Sequence, residues 1–197
     1  MPRLRHSVAL LALVTVAILA ARDAAAQTTL PAADQIAAAV LPLPTEFRAG
    51  ATVLGYGADG RLTTLRTGAG QFNCLAPDPK VAQFHVACYH KALEPFMARG
   101  RELRATGVTG GRVDTVRFAE VQSGKLKMPD RGALYTLTGG HFDAATGTAP
   151  GANPLYVIYI PYATALTTGI SERPVQGAPW IMFPGTPKAH IMLVPKM

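Results

Sequence analysis

Charged residues are scarce in this 197-residue sequence: they make up 16% of it, against 49% hydrophobic residues. That balance excludes disorder as the main state, and the length fits one domain. Serine is also rare, since only Ser123 and Ser171 follow residue 26, and neither lies in the G-x-S-x-G motif of serine hydrolases. There is no glycine-rich phosphate loop. The sequence therefore gives no catalytic motif, and we expect no cofactor.

A long apolar run occurs only near the N-terminus. Arg3 and Arg5 precede an apolar run over residues 8–21, and Ala24-Ala25-Ala26 follows it. The run is short of the roughly 20 residues of a membrane-spanning helix and has the three-part pattern of a secretory signal. We predict a signal peptide over residues 1–26, one mature domain over 27–197, and export to the periplasm or outside the cell. An uncleaved N-terminal anchor is the alternative. No later run is long enough to be a transmembrane segment.

The sequence has only two cysteines, Cys74 and Cys88. An oxidising compartment and an even count favour a disulfide between them. Turn-forming residues between the two cysteines, among them Pro77 and Pro79, can bring neighbouring strands together. A free thiol, an intermolecular bridge and a metal thiolate are the competing interpretations.

Histidines provide the candidate metal ligands. His85 and His90 flank Cys88, and zinc or copper suits imidazole and thiolate ligands. In a strand, however, His85 and Cys88 would point to opposite faces, so the spacing gives a weak signal. A site that forms only on folding would use His85, His90, His141 and His190. That hypothesis makes the protein a metal-dependent, hydrolase-type enzyme, the alternative to a protein without catalysis.

The order of predicted elements indicates the fold class. Short strands and a hairpin with its turn at Asp59-Gly60 come first, two helices follow, and strands resume to the C-terminus. Pro95 fits only the first turn of the first helix, which should end at Gly107, and Thr109 can cap the second. We predict an α+β fold: a mostly antiparallel sheet, a helical hairpin packed on one face, and one intradomain disulfide.

Positive charge is concentrated in the two predicted helices and the segment after them. The formal net charge of the chain is +7. An exported protein without aromatic residues among these cations is not expected to bind nucleic acid. An anionic envelope component is a possible partner, and a solvated helix surface is the simpler interpretation. The cations concerned are Arg99, Arg101, Arg104, Arg112, Arg117, Lys125, Lys127 and Arg131.

A proline- and glycine-rich segment surrounds the single tryptophan. Pro179, Pro184 and Pro187 restrict the backbone around Trp180, which predicts a rigid double turn. Core packing of Trp180 and Phe183 is one interpretation. The other is a small-molecule site framed by Trp180 and Phe183, with His190 at its rim.

Several stretches together resemble a group of uncharacterised exported bacterial proteins, over most of the mature chain. They are residues 65–68, 73–74, 78–79, the segment around Cys88, 134–140, 177–187 and 190–192. No activity is attached to that group, so the resemblance implies a bacterial, extracytoplasmic setting and assigns no catalytic residue. The function we expect is therefore that of an exported binding or envelope-associated protein without catalysis.

Overall fold

The computed structural model describes residues 29–195; the predicted signal peptide lies outside them. The helices are α1 (Ala32–Ala39), α2 (Thr45–Arg48), α3 (Glu94–Ala105), α4 (Gly111–Gln122) and α5 (Ala165–Thr168). The strands are β1 (Thr52–Tyr56), β2 (Leu62–Arg66), β3 (Phe72–Leu75), β4 (His85–His90), β5 (Gly132–Thr138), β6 (Asn153–Tyr159), β7 (Trp180–Met182) and β8 (His190–Leu193). No helix in this part of the chain is both long enough and apolar enough to cross a membrane.

All eight strands form one sheet in the order β2-β1-β3-β4-β5-β6-β8-β7. Every neighbouring pair is antiparallel except β1 and β3, which are parallel. The predicted α+β class with a mostly antiparallel sheet is therefore confirmed.

The β1–β2 hairpin forms where the sequence predicted it. Gly60 has a φ of 68°, which suits a glycine, and the Asp59 side chain accepts a hydrogen bond from the Arg61 N–H at 3.0 Å. The Gly57 N–H donates to the Arg61 carbonyl at 3.0 Å and closes the turn. Local turn chemistry therefore sets the register of this edge of the sheet.

One face of the sheet, which we call the α1 face, carries α1 and the disulfide. Cys74 and Cys88 are direct partners in the β3–β4 register, with Cα atoms 4.0 Å apart, and they form the predicted disulfide. Both are fully buried. They pack in a cluster with Ala39 and Val40 from the end of α1 and Leu43 from the segment after it. The cross-link therefore lies inside the core that holds α1 on the sheet.

The opposite face carries the helical hairpin α3–α4, as predicted, and we call it the hairpin face. Leu93 and Met97 pack against Tyr89, Val157 and Tyr159 there. Because side chains alternate along a strand, Tyr156 and Ile158 project from β6 on the α1 face instead. The α1 helix packs mainly on β1, β2 and β4. Tyr156 and Ile158 consequently remain exposed.

Candidate functional site

An apolar cleft of about 900 Å³ opens beside the uncovered part of β6. Its walls are residues 174–180 on one side and residues 193–195 at the end of β8 on the other, and Tyr156 also lines it. We call this set of residues the apolar cleft. Its volume lies within the range of small-molecule sites, roughly 300–1,000 Å³.

The lining of the apolar cleft is mostly apolar and uncharged. Its polar side chains are Tyr156, Gln176 and Trp180, and within the described residues no lining side chain carries a formal charge. Val175 and Val194 are exposed to solvent in this lining. Water against apolar side chains is unfavourable by about 25 cal/mol per Å². The cleft is therefore suited to an uncharged ligand with mostly apolar surface.

Proline and glycine give the wall over residues 174–180 its shape. Gly177 has a φ of 75°, and the Ala178 N–H donates to the Val175 carbonyl at 3.4 Å. The wall is attached to the sheet where the Ile181 N–H donates to the Ser171 carbonyl at 2.7 Å. Prolines at 174, 179 and 195 restrict the backbone further. This part of the predicted rigid double turn forms one side of the cleft.

Neighbouring aromatic rings fix the position of Tyr156. The centroids of Tyr156 and Tyr135 are 5.4 Å apart, and those of Tyr135 and Phe72 are 5.8 Å apart, both edge-on. Phe72 is buried in the cluster that contains the disulfide. The tyrosine in the cleft is thus supported by rings that continue into the core.

The structure places His190 and Phe183 away from the apolar cleft. The buried His190 ring lies 4.9 Å from Tyr159 and 5.8 Å from Phe183, and its Nδ1 is 2.7 Å from the Lys188 carbonyl. Burial lowers the pKa of His190 below its ordinary value, although the hydrogen bond to the Lys188 carbonyl opposes the shift. Trp180 therefore lines the cleft without the other two predicted ligand residues.

The four histidines predicted as metal ligands do not form one cluster. His85 at the start of β4 has its Nδ1 2.8 Å from the Thr138 hydroxyl, whereas the Nδ1 of His90, at the other end of β4, accepts from the Ala92 N–H. His141 is exposed after β5, and His190 is buried in β8. Within residues 29–195, no three histidine, cysteine or carboxylate side chains are grouped so that they could hold a metal ion.

Ion pairs neutralise much of the positive charge of the helical hairpin. Arg99 forms a bidentate pair with Glu120, with nitrogen–oxygen distances of 2.7 and 2.9 Å. Arg101 binds Glu94 at 2.6 Å, and the buried Arg117 pairs with Asp114. Fewer cations of the helical hairpin are therefore free to bind an anionic partner than a count from the sequence suggests.

Two acidic side chains in these pairs, Glu94 and Asp114, also connect different parts of the fold through further hydrogen bonds. Glu94 also accepts hydrogen bonds from Tyr89 at 2.5 Å and Asn73 at 2.9 Å, and burial raises the pKa of Tyr89. Asp114 binds Lys188 at 2.9 Å and so joins α4 to the β7–β8 turn. Burial alone would raise the pKa of Asp114, but hydrogen bonds from Lys188 and Arg117 outweigh it and leave that pKa low.

The fold and the cleft together define an α+β domain with a concave apolar site on one sheet face. No family model, curated protein or solved structure matches the chain significantly. The geometry of the chain itself is therefore the basis for assigning a function.

Proposed function

We propose that this chain is an exported binding protein that holds an uncharged, largely apolar small molecule in the apolar cleft. The observation that carries the proposal is the cleft itself, with a volume of about 900 Å³ and a lining without formal charge. A preformed site of this kind binds by removing apolar surface from water.

The lining supports binding without catalysis. Proton transfer and nucleophilic attack mostly use histidine, carboxylate, lysine, cysteine or serine side chains. The described lining residues include none of these; Tyr156 is the one lining side chain of a type that can also take part in such chemistry. Gln176, Tyr156 and Trp180 can instead donate one or two hydrogen bonds that orient a bound molecule.

Two features support export. The N-terminal residues have the pattern of a secretory signal, and the described domain contains a buried disulfide, which persists in oxidising compartments. A ligand-binding role in the envelope or outside the cell is consistent with both.

The single tryptophan provides a direct test. Trp180 lines the cleft, so N-phenyl-1-naphthylamine, an uncharged apolar fluorophore, should quench its emission by energy transfer in a saturable titration. Val175→Asp should weaken this binding about tenfold or more, because a carboxylate would have to lose water in an apolar site.

Val81→Asp is the matched control. Val81 is 47% exposed and lies outside the cleft, whereas Val175 is 41% exposed and lines it. The control should bind the fluorophore like the unaltered protein. Equal binding by all three proteins, or an equal loss in both variants, would refute the proposal.

A further inference from the structure

A strip of apolar surface continues from the cleft across the α1 face of the sheet. Tyr156 lines the cleft, and Ile158 lies on the same face two residues further along β6, where it is 38% exposed. Tyr135 of β5 is the register partner of Tyr156 and is partly exposed. Phe47 of α2 is 42% exposed on the other side of Tyr135. We call Tyr156, Ile158, Tyr135 and Phe47 the apolar strip.

Ring contacts join the members of the apolar strip. The Phe47 ring lies 5.2 Å from Phe72 of β3, which in turn contacts Tyr135. From β6 to β3 there are three strand spacings, or about 14 Å. Along β6, by contrast, Tyr156 and Ile158 span only about 7 Å. The strip is therefore long and narrow, a shape that fits one extended hydrocarbon chain.

Three cations lie at the Phe47 end of the apolar strip, and we call Arg48, Arg66 and Lys91 the basic corner. Arg48 follows Phe47 in α2, and the Arg66 guanidinium donates to the Arg48 carbonyl at 2.6 Å. The Lys91 ammonium donates at 2.8 Å to the carbonyl of Gly68, two residues after Arg66. Hydrogen bonds to the backbone thus hold the three cations at one end of the sheet.

The cations of the basic corner bind backbone carbonyl groups instead of carboxylates. Arg48 donates to the carbonyls of residues 41 and 43, and Arg66 to those of residues 48 and 51. In the described part of the chain, none of the three belongs to an ion pair. The acidic residues closest to Arg48 and Lys91 in sequence are Glu46, which is exposed, and Glu94, which binds Arg101. The corner therefore keeps an excess of positive charge.

His90 adds a hydrogen-bond donor beside the basic corner. Its Nδ1 accepts from the Ala92 N–H at 3.2 Å, which places the ring proton on Nε2. The ring packs edge-on against Phe72, with centroids 5.8 Å apart, and Lys91 is the next residue. His90 is therefore suited to donate to an anion at this end of the strip.

We propose that the ligand of the apolar cleft is an unbranched long-chain carboxylate, an inference that rests on the proposed function. The end of its chain lies in the cleft, so the part inside the cleft is uncharged, and the rest of the chain covers the apolar strip. Its carboxylate binds the basic corner, because guanidinium and ammonium groups form charge-assisted hydrogen bonds to carboxylates. Charge complementarity at one end and continuity with the cleft at the other thus define the ligand class.

Displacement of N-phenyl-1-naphthylamine by fatty acids below their critical micelle concentrations tests this class. Palmitate should bind at least about tenfold more tightly than octanoate, because each further methylene buried on the strip contributes about fourfold. It should also bind about tenfold more tightly than 1-hexadecanol, which has the same chain length and no charge, and added salt should reduce this difference.

Variants of the basic corner and the strip should act on palmitate alone. Lys91→Gln and Arg66→Gln should each weaken palmitate binding about tenfold and leave the binding of 1-hexadecanol and of the fluorophore unchanged. Lys80→Gln, at an exposed lysine after β3, is the matched control and should have no effect. Ile158→Thr keeps a β-branched residue in β6 and should weaken palmitate binding about fivefold without affecting the fluorophore.

The two proposals fail in different ways. Absence of fluorophore binding would overturn both. If the fluorophore binds but palmitate displaces it no better than octanoate or 1-hexadecanol, the long-chain carboxylate is wrong and the cleft proposal stands. The same conclusion follows if Lys80→Gln weakens palmitate binding as much as Lys91→Gln, or if Ile158→Thr only disrupts a dimer.

Discussion

Removing the disulfide should lower the free energy of unfolding by a predictable amount. The sequence separation of Cys74 and Cys88 is 14, so the bond closes a loop of about 15 residues, and chain entropy gives it about 3 kcal/mol. Cys74→Ala/Cys88→Ala also removes two fully buried sulfur atoms from the cluster under α1. We therefore expect a total loss of about 3–5 kcal/mol.

Urea unfolding followed by Trp180 fluorescence and by circular dichroism measures this loss. The unaltered protein unfolded with a reductant provides the control, because it loses the cross-link and keeps the sulfur atoms. Its stability should lie between those of the oxidised protein and the double variant. Equal midpoints for all three samples would refute the argument from loop closure. So would labelling of both cysteines by a thiol reagent in the native protein.

Two further predictions concern a close backbone approach and a buried histidine. A Cβ at Gly68 would lie 2.2 Å from the Gly50 carbonyl oxygen, whereas one at Gly111 meets nothing within 4 Å. Gly68→Ala should therefore cost about 1–3 kcal/mol in urea unfolding. Gly111→Ala, at the start of α4, should leave stability unchanged or raise it by up to about 1 kcal/mol. Equal effects would contradict the packing. Burial lowers the folded-state pKa of His190 below its ordinary 6.5, so the folded protein binds a proton at this ring less readily than the unfolded chain does. The contribution of the neutral ring to the free energy of unfolding is therefore complete above pH 6.5 and is lost as the pH falls through the lower folded-state pKa. His190→Gln should flatten this part of the stability–pH curve, and an unchanged slope would show that His190 titrates normally.

Much of the secondary structure could be predicted because local chemistry determines it. Asp59-Gly60 fixes the first hairpin, and Pro95 lies in the first turn of α3 as expected. The end of α3 is set by Gly107, which has a φ of 86°. The cap of α4 was predicted wrongly: Gly110, not Thr109, is the N-cap residue, and no side chain caps the helix. Several residue types fit an N-cap, so this choice depends on tertiary contacts.

Strand order and charge pairing could not be predicted from local sequence. The chain leaves the β1–β2 hairpin and returns on the other side of β1, where β3 runs parallel to it. No local pattern in residues 67–71 predicts that side of the sheet, although Gly68 and Gly70 lie close to the Gly50 backbone once the sheet has formed. Similarly, the Arg99–Glu120 pair depends on how α3 and α4 pack, so the basic residues counted from sequence overstate the available charge.

The candidate site was predicted only in part, because its lining also depends on tertiary packing that local sequence does not determine. Trp180 and its proline-rich surroundings are visible in the sequence, but Tyr156 and Val194 reach the cleft from other parts of the chain. The predicted site had His190 at its rim, beside Trp180. The β7–β8 register instead pairs His190 with Met182, and the ring packs between Tyr159 and Phe183.

Exposed apolar residues support the proposed ligand site, because in the folded protein their surface remains in contact with water. The α1 helix covers only part of its face, which leaves Tyr156 exposed beside a concave wall. Tyr156 is 37% exposed although its ring packs edge-on against Tyr135, so packing fixes its position without burying it fully. A ligand in the cleft would bury this remaining surface and recover hydrophobic free energy that folding alone leaves unused.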